Sequence, residues 1–154
     1  MELATIITAV VSSLLAAISF AFSLYTYRKT MVQDRKQETL DAYNRLQIQA
    51  FDHLNLYMPS MIREIAKDPK SEEYKKISSY VARIEHFCVG INQNIYDSKV
   101  VYELAHGYLD GAIKSRIKPI LESKSFNGEV YYDNTIKVLE WMEKETENRQ
   151  RKTL

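Results

Sequence analysis

The side chains able to do acid–base or nucleophilic chemistry are few in this 154-residue chain: three histidines, His53, His86 and His106, and one cysteine, Cys88. No second His or Cys stands at i,i+4 from any of them, the helical spacing that would let two ligands grip one metal ion. His86 and Cys88 are two apart, which on a helix sends them to different faces. Each histidine therefore reads as a core or interface residue, and neither a metal nor a cofactor is expected. Glu85, Glu103 and Asp110 are the carboxylates nearest to this chemistry, and they read as solvated helix-face residues. No Gly-rich phosphate loop is present, which argues against nucleotide hydrolysis. On residues alone, a non-enzymatic role is expected.

Charge gives two local features. Lys114, Arg116 and Lys118 fall near the end of an expected helix, where cations complement the helix dipole; their alternative use is a small anion or an RNA phosphate. Lys67, Lys70, Lys75 and Lys76 form a second loose basic group suited to anionic lipid or a partner. Lys+Arg total 21 against 20 for Asp+Glu, a net charge of +1, so nucleic acid is not expected as the primary ligand. Eleven tyrosines are many for this length. Tyr102, Tyr108, Tyr131 and Tyr132 read either as a protein interface or as packing at the polar rims of helices.

The element that most constrains function is N-terminal. Leu3 to Tyr27 holds no charge, Gly or Pro. As a helix it is about 37 Å long, against a bilayer core of about 30 Å. A secretory signal has a basic start and an apolar run of about 7–15 residues; here the start is Met1-Glu2 and the run is longer. A buried core helix of this length normally carries charge. The expectation is a membrane anchor over residues 1–27 and a cytosolic helical domain over 28–154. Arg28, Lys29, Arg35 and Lys36 follow the span, and cations stay in the cytoplasm, so the N-terminus is expected outside. A single cysteine fits a reducing compartment.

The anchor carries a polar stripe. At 100° per residue, Thr5, Thr8, Ser12, Ala16, Ser19, Ser23 and Thr26 share an arc of about 80°. Ile6, Ile7, Val10, Leu14, Ile18 and Tyr25 line the other side. Ala9, Ser13, Ala17 and Ala21 run beside the stripe at four-residue spacing. Three readings stand: a mildly hydrophobic anchor, close packing of neighbouring helices through small residues and hydroxyls, or a ring lining a narrow Ser/Thr pore.

Beyond the span the chain reads as all-α, a single transmembrane helix continuing into a four-to-five-helix bundle, with few Gly or Pro and no strand alternation. The first helix is expected to continue from Arg28 to about Tyr57 with Leu40, Tyr43, Gln47, Ala50 and Leu54 inward. A short helix follows Pro59. Ser71 starts the next, with Tyr74, Ile77, Val81, Ile84, Cys88 and Ile91 buried. Asp97 caps another carrying Val101, Leu104, Tyr108, Ile113 and Ile117, which Pro119 closes or kinks. A loop near Ser123–Gly128 leads to a last helix with Tyr132, Ile136, Leu139 and Met142, and the charged tail from Lys144 is expected to fray.

This layout resembles the small membrane-anchored accessory proteins of type VI-B CRISPR loci. The stretch from about Ser71 to Met142, with Ile95-Tyr96-Asp97, Gly107-Tyr108, Ile117-Lys118-Pro119-Ile120 and Tyr131-Tyr132, also resembles a bacterial family of single-pass proteins. The first resemblance implies a divergent version of a helical RNase fold, whose catalytic His follows an Arg after roughly four to six residues. Arg83 stands too close to His86, Arg45 too far from His53, and Lys99 rather than Arg precedes His106. Arg83, His86 and His106 are thus residual RNase-like or core positions. The resemblance further implies a homo-oligomeric ring in the bacterial inner membrane that supports an RNA-guided RNase against phage by permeabilising the membrane. The alternatives are a tethered scaffold or receptor for a cytosolic protein or signalling ligand, and a tethered RNase.

Overall fold

The computed structural model describes residues 2–123 and 132–153, the side chains of Ala4 and Thr153 excepted. Tyr131 and the expected loop over 124–128 lie outside the described residues. The described residues are all-α, with no strand among them. The chain divides into two compact units, Met1–Arg35 and Lys36–Leu154.

Helix α1 spans Glu2–Leu46. In the first unit its only acid before Arg28 is Glu2, and nothing in the sequence breaks the helix. Ser13 Oγ donates to the Ala9 carbonyl at 2.9 Å and Ser23 Oγ to the Ser19 carbonyl at 2.8 Å, so these hydroxyls are satisfied by their own helix. The apolar side chains of this unit are exposed, Phe22 to 69% and Ile18 to 65%.

In the second unit, α1 passes at Leu46 into a π-helical segment, Gln47–Phe51, and then α2, Asp52–Leu54. Pro59 begins α3, Pro59–Ile65, at a position where its missing N–H costs nothing. Helix α4, Glu72–Asn92, starts on Ser71, whose Oγ accepts from the Tyr74 N–H at 3.1 Å, with Glu72 and Glu73 against the positive end of the dipole. It ends at Asn92, and the chain turns away at Asn94, in the left-handed region at φ 56°. The N–H groups of Ile95 and Tyr96 both return to the Gly90 carbonyl, at 2.9 and 3.2 Å. The Tyr96 ring then lies where a Gly90 Cβ would be, 2.3 Å from its Cε2, and stacks on Phe87. Only glycine admits that approach.

Asp97 caps α5, Ser98–Ala105, by accepting from the Lys99 and Val100 N–H groups at 3.0 and 3.1 Å. The single helix expected from Asp97 to Ile117 is instead interrupted by a π-helical segment, His106–Ile113, and resumes as α6, Lys114–Glu122. Side chains serve carbonyls at both junctions. The Tyr43 hydroxyl donates to Leu104 at 3.3 Å, and Ser115 Oγ and Arg116 Nη1 donate to Ala112 at 3.0 and 2.6 Å. Pro119 does not close α6, which continues to Glu122.

Helix α7 spans Asp133–Thr153, so the tail from Lys144 is helical rather than frayed. Ion pairs Glu145–Arg149 at 2.9 Å and Glu147–Arg151 at 3.9 Å support it along its own surface. Arg149 also pairs with Glu103 at 2.6 Å, and Thr146 shares a 2.9 Å hydrogen bond with Tyr102. The core is the inward side chains of all these elements, with Phe51, Leu54, Ile62, Ile77, Ile84, Leu109, Ile113, Ile117, Ile120 and Met142 fully buried. Gln47 and Leu104, expected inward, are exposed. Gln47 opens the first π segment, where the wider turn shifts the buried face by about one residue, and Leu104 lies in α5 two residues before the second.

Candidate membrane face and polar clusters of the helical domain

All seven stripe residues lie on α1, and those whose side chains are described are exposed. Regular helical geometry keeps them on one side, facing away from Ile7, Leu14, Ile18 and Tyr25. Ser12, Ser19 and Thr26, spaced seven apart, make no side-chain hydrogen bond among the described residues, whereas Ser13 and Ser23 bond back to their own helix. Arg28, Lys29 and Lys36 are exposed and Arg35 is half-buried.

The residues singled out for chemistry are not gathered into one site. Arg83 donates from Nη1 to Gln49 Oε1 at 2.8 Å, and His86 is exposed on α4. Cys88 is buried on another face of α4. Burial pushes its thiol up to about 12; a hydrogen bond with Thr135 opposes the rise and the charge of Glu85 adds to it. His53 stacks on Tyr80 with ring centroids 5.0 Å apart. His106 stands at the head of the second π segment, its Nδ1 2.8 Å from the Tyr102 carbonyl and its ring stacked on Tyr102 at 4.6 Å. No group of three or more His, Cys, Asp or Glu suited to a metal ion occurs among the described residues.

Two clusters escaped the sequence reading. Glu85, expected to be solvated, is half-buried and accepts four hydrogen bonds from the start of α7. These come from Asn134 N and Nδ2 at 3.1 and 2.7 Å, and from Thr135 N and Oγ1 at 2.8 and 2.7 Å. It caps α7 from a different helix. The partner lies 50 residues away in sequence, so no local signal marks it. The second cluster centres on Tyr102, which is buried rather than offered to a partner. Arg149 lies 4.0 Å over its ring, and Trp141 meets it edge-on. The Arg149 hydrogen bond holds the Glu103 carboxyl below its usual range. Tyr108 and Tyr132 are half-buried, and their hydroxyls bond Asn55 and Ser78.

The basic residues separate. Lys114 is taken by Asp110 and Glu143, and Arg116 by the Tyr57 and Ala112 carbonyls. Lys118 instead lines a groove between α3 and α6 with Arg63 and Lys67.

These features define a class: an all-α protein whose N-terminal helix is the one helix, among the described residues, long and apolar enough to cross a membrane, followed by a helical bundle. The chain matches a family model over residues 13–145 and belongs to that family, described as a domain of unknown function (DUF4760). The matched region takes in the apolar helix from Ser13 onward. No curated protein and no solved structure matches the chain.

Proposed function

We propose that this protein is a membrane-anchored effector that works as a homo-oligomer. The N-terminal part of α1 spans the bacterial inner membrane with its N-terminus outside, and residues from Arg28 onward occupy the cytoplasm. Neighbouring spans meet through their Ser/Thr faces and enclose a narrow water-filled path that dissipates the membrane potential. In the context that the type VI-B accessory resemblance suggests, this supports an RNA-guided RNase against phage. The observation that carries the reading is the line of Ser12, Ser19 and Thr26, three aligned hydroxyls without a side-chain hydrogen bond among the described residues. In hydrocarbon such groups gain about 1 kcal/mol each from a partner on another helix, and water offers the same.

Cysteines introduced singly at Ser12, Ser19, Ile7 and Ile18 test this. Disulfide trapping in native membranes is expected to link protomers through positions 12 and 19 and not through 7 and 18. Equal trapping on both faces, or a monomer by light scattering in detergent, refutes the assembly. Ser12→Leu with Ser19→Leu is expected to abolish depolarisation while insertion persists.

A second reading, a tethered scaffold, is favoured by the exposed Leu56 and Met58 between α2 and α3 and Met61 on α3 (77, 66 and 46% exposed). Flexible methionines suit a protein-binding surface. Replacing the span with an unrelated membrane helix separates the two, since a scaffold keeps its function and a pore does not.

A further inference from the structure

Most of the cations near α3 and α6 are accounted for by protein partners. Three of them, Arg63, Lys67 and Lys118, converge on one place, and of these Arg63 has no ion pair among the described residues. Between α3 and α6 lies an open groove of about 470 Å³ lined by the cations Arg63, Lys67 and Lys118, the carboxylate Glu122, and Ala66 and Pro119. Arg63 is exposed and forms no ion pair among the described residues. Lys118 forms a loose i,i+4 ion pair with Glu122 at 3.7 Å, beyond hydrogen-bond distance and with both side chains exposed, so a stronger ligand displaces it. Lys67, in the turn after α3, pairs with Glu64 at the end of that helix, both exposed, an arrangement that a stronger ligand displaces easily.

The helix dipole explains Arg63, in the last turn of α3. It does not explain Lys118, which comes from the middle of α6 and faces the same space. The groove is too roomy for a monatomic ion and has cations on two walls, a geometry that suits an anion with several oxygens. Its Ala66 and Pro119 surface accepts an uncharged remainder.

We propose that this groove binds the phosphate group of a phosphorylated small molecule. Arg63 engages two oxygens through its planar fork, and Lys67 and Lys118 act as point charges from either side.

The test is calorimetric titration of the full-length protein in mild detergent at 150 mM salt with three probes: inorganic pyrophosphate, a nucleoside triphosphate and a short-chain phosphatidic acid. Arg63→Ala with Lys118→Ala is expected to weaken binding at least tenfold, while Lys75→Ala with Lys76→Ala, on α4, leaves it unchanged. Circular dichroism and thermal melts of both variants, matched to the parent, establish that the fold is retained. Tightest binding of the triphosphate identifies a nucleotide source, and tightest binding of phosphatidic acid a lipid headgroup. If no probe binds below 10 mM, or if both pairs of substitutions weaken binding equally, the site does not exist.

Discussion

Removing the Glu85 carboxylate is expected to loosen α7 from α4 and cost about 3 kcal/mol. Four donors converge on that carboxylate, two from Asn134 and two from Thr135. Thr135 is fully buried, so in Glu85→Ala its donors have no water to turn to. An unsatisfied buried donor costs about 1–3 kcal/mol and a lost helix cap about 1 kcal/mol. Asn134 is half-exposed, and water replaces most of its share. Glu85→Gln retains an acceptor and the shape of the side chain, and is expected to cost about half as much. Trp141 sits on α7, so urea unfolding of the full chain in mild detergent, followed by its fluorescence, reads the change. Hydrogen exchange at the Asn134 and Thr135 amides localises it. A Glu85→Ala protein within ~0.5 kcal/mol of the parent, with unchanged protection at those amides, would refute the assignment of Glu85 as the cap.

Gly90→Ala is expected to displace the Tyr96 ring, since the new Cβ would stand 2.3 Å from Cε2, and to cost about 1–3 kcal/mol in the same unfolding assay. Cys88 has its thiol raised from 9.0 to about 12, which at pH 8 lowers the thiolate fraction roughly a thousandfold. Iodoacetamide is therefore expected to label it only after unfolding. Because the folded value is the higher one, the stability linked to this group is full below pH 9 and is lost as pH rises toward 12. The Glu103 carboxyl is expected to titrate below a free glutamate by NMR and to return to the ordinary range in Arg149→Ala, which also removes the pair from the acid limb of the stability profile.

The helical character, the Ser71 and Asp97 caps, the Pro59 start and most of the α4 core were legible in the sequence because each rests on residues a few positions apart. Of the residues repeating at helical spacing, Ile77, Val81, Ile84, Cys88 and Ile91 are buried and Tyr74 is half-buried. The π segments were not legible. Gln47–Phe51 has ordinary helix-forming composition, and Gly107 and Gly111 in His106–Ile113 weaken a helix without specifying a π turn; the first segment lies where Tyr43, Phe51 and Tyr108 pack together. Glu85, and the tail from Lys144 that carries Arg149, were misread for a related reason. Both look like surface charges until residues about 50 positions away are brought beside them. Lys67 and Lys118 were read in two separate basic groups and Arg63 in neither; the fold brings the three to one groove and sorts Lys118 from Lys114 and Arg116. The stripe on α1 was readable because it depends on helical phase alone.

Arg149 resting on Tyr102, with Thr146 bonded to the same ring's hydroxyl, has a practical consequence for engineering. A polypeptide shortened after Lys144 would look like one trimmed of a charged appendage. It would in fact strip one face of a buried aromatic residue and leave Glu103 without its counter-charge. Truncations that spare Arg149 respect this lid, and those that cut before Thr146 are expected to yield an aggregating product whatever the fate of the span.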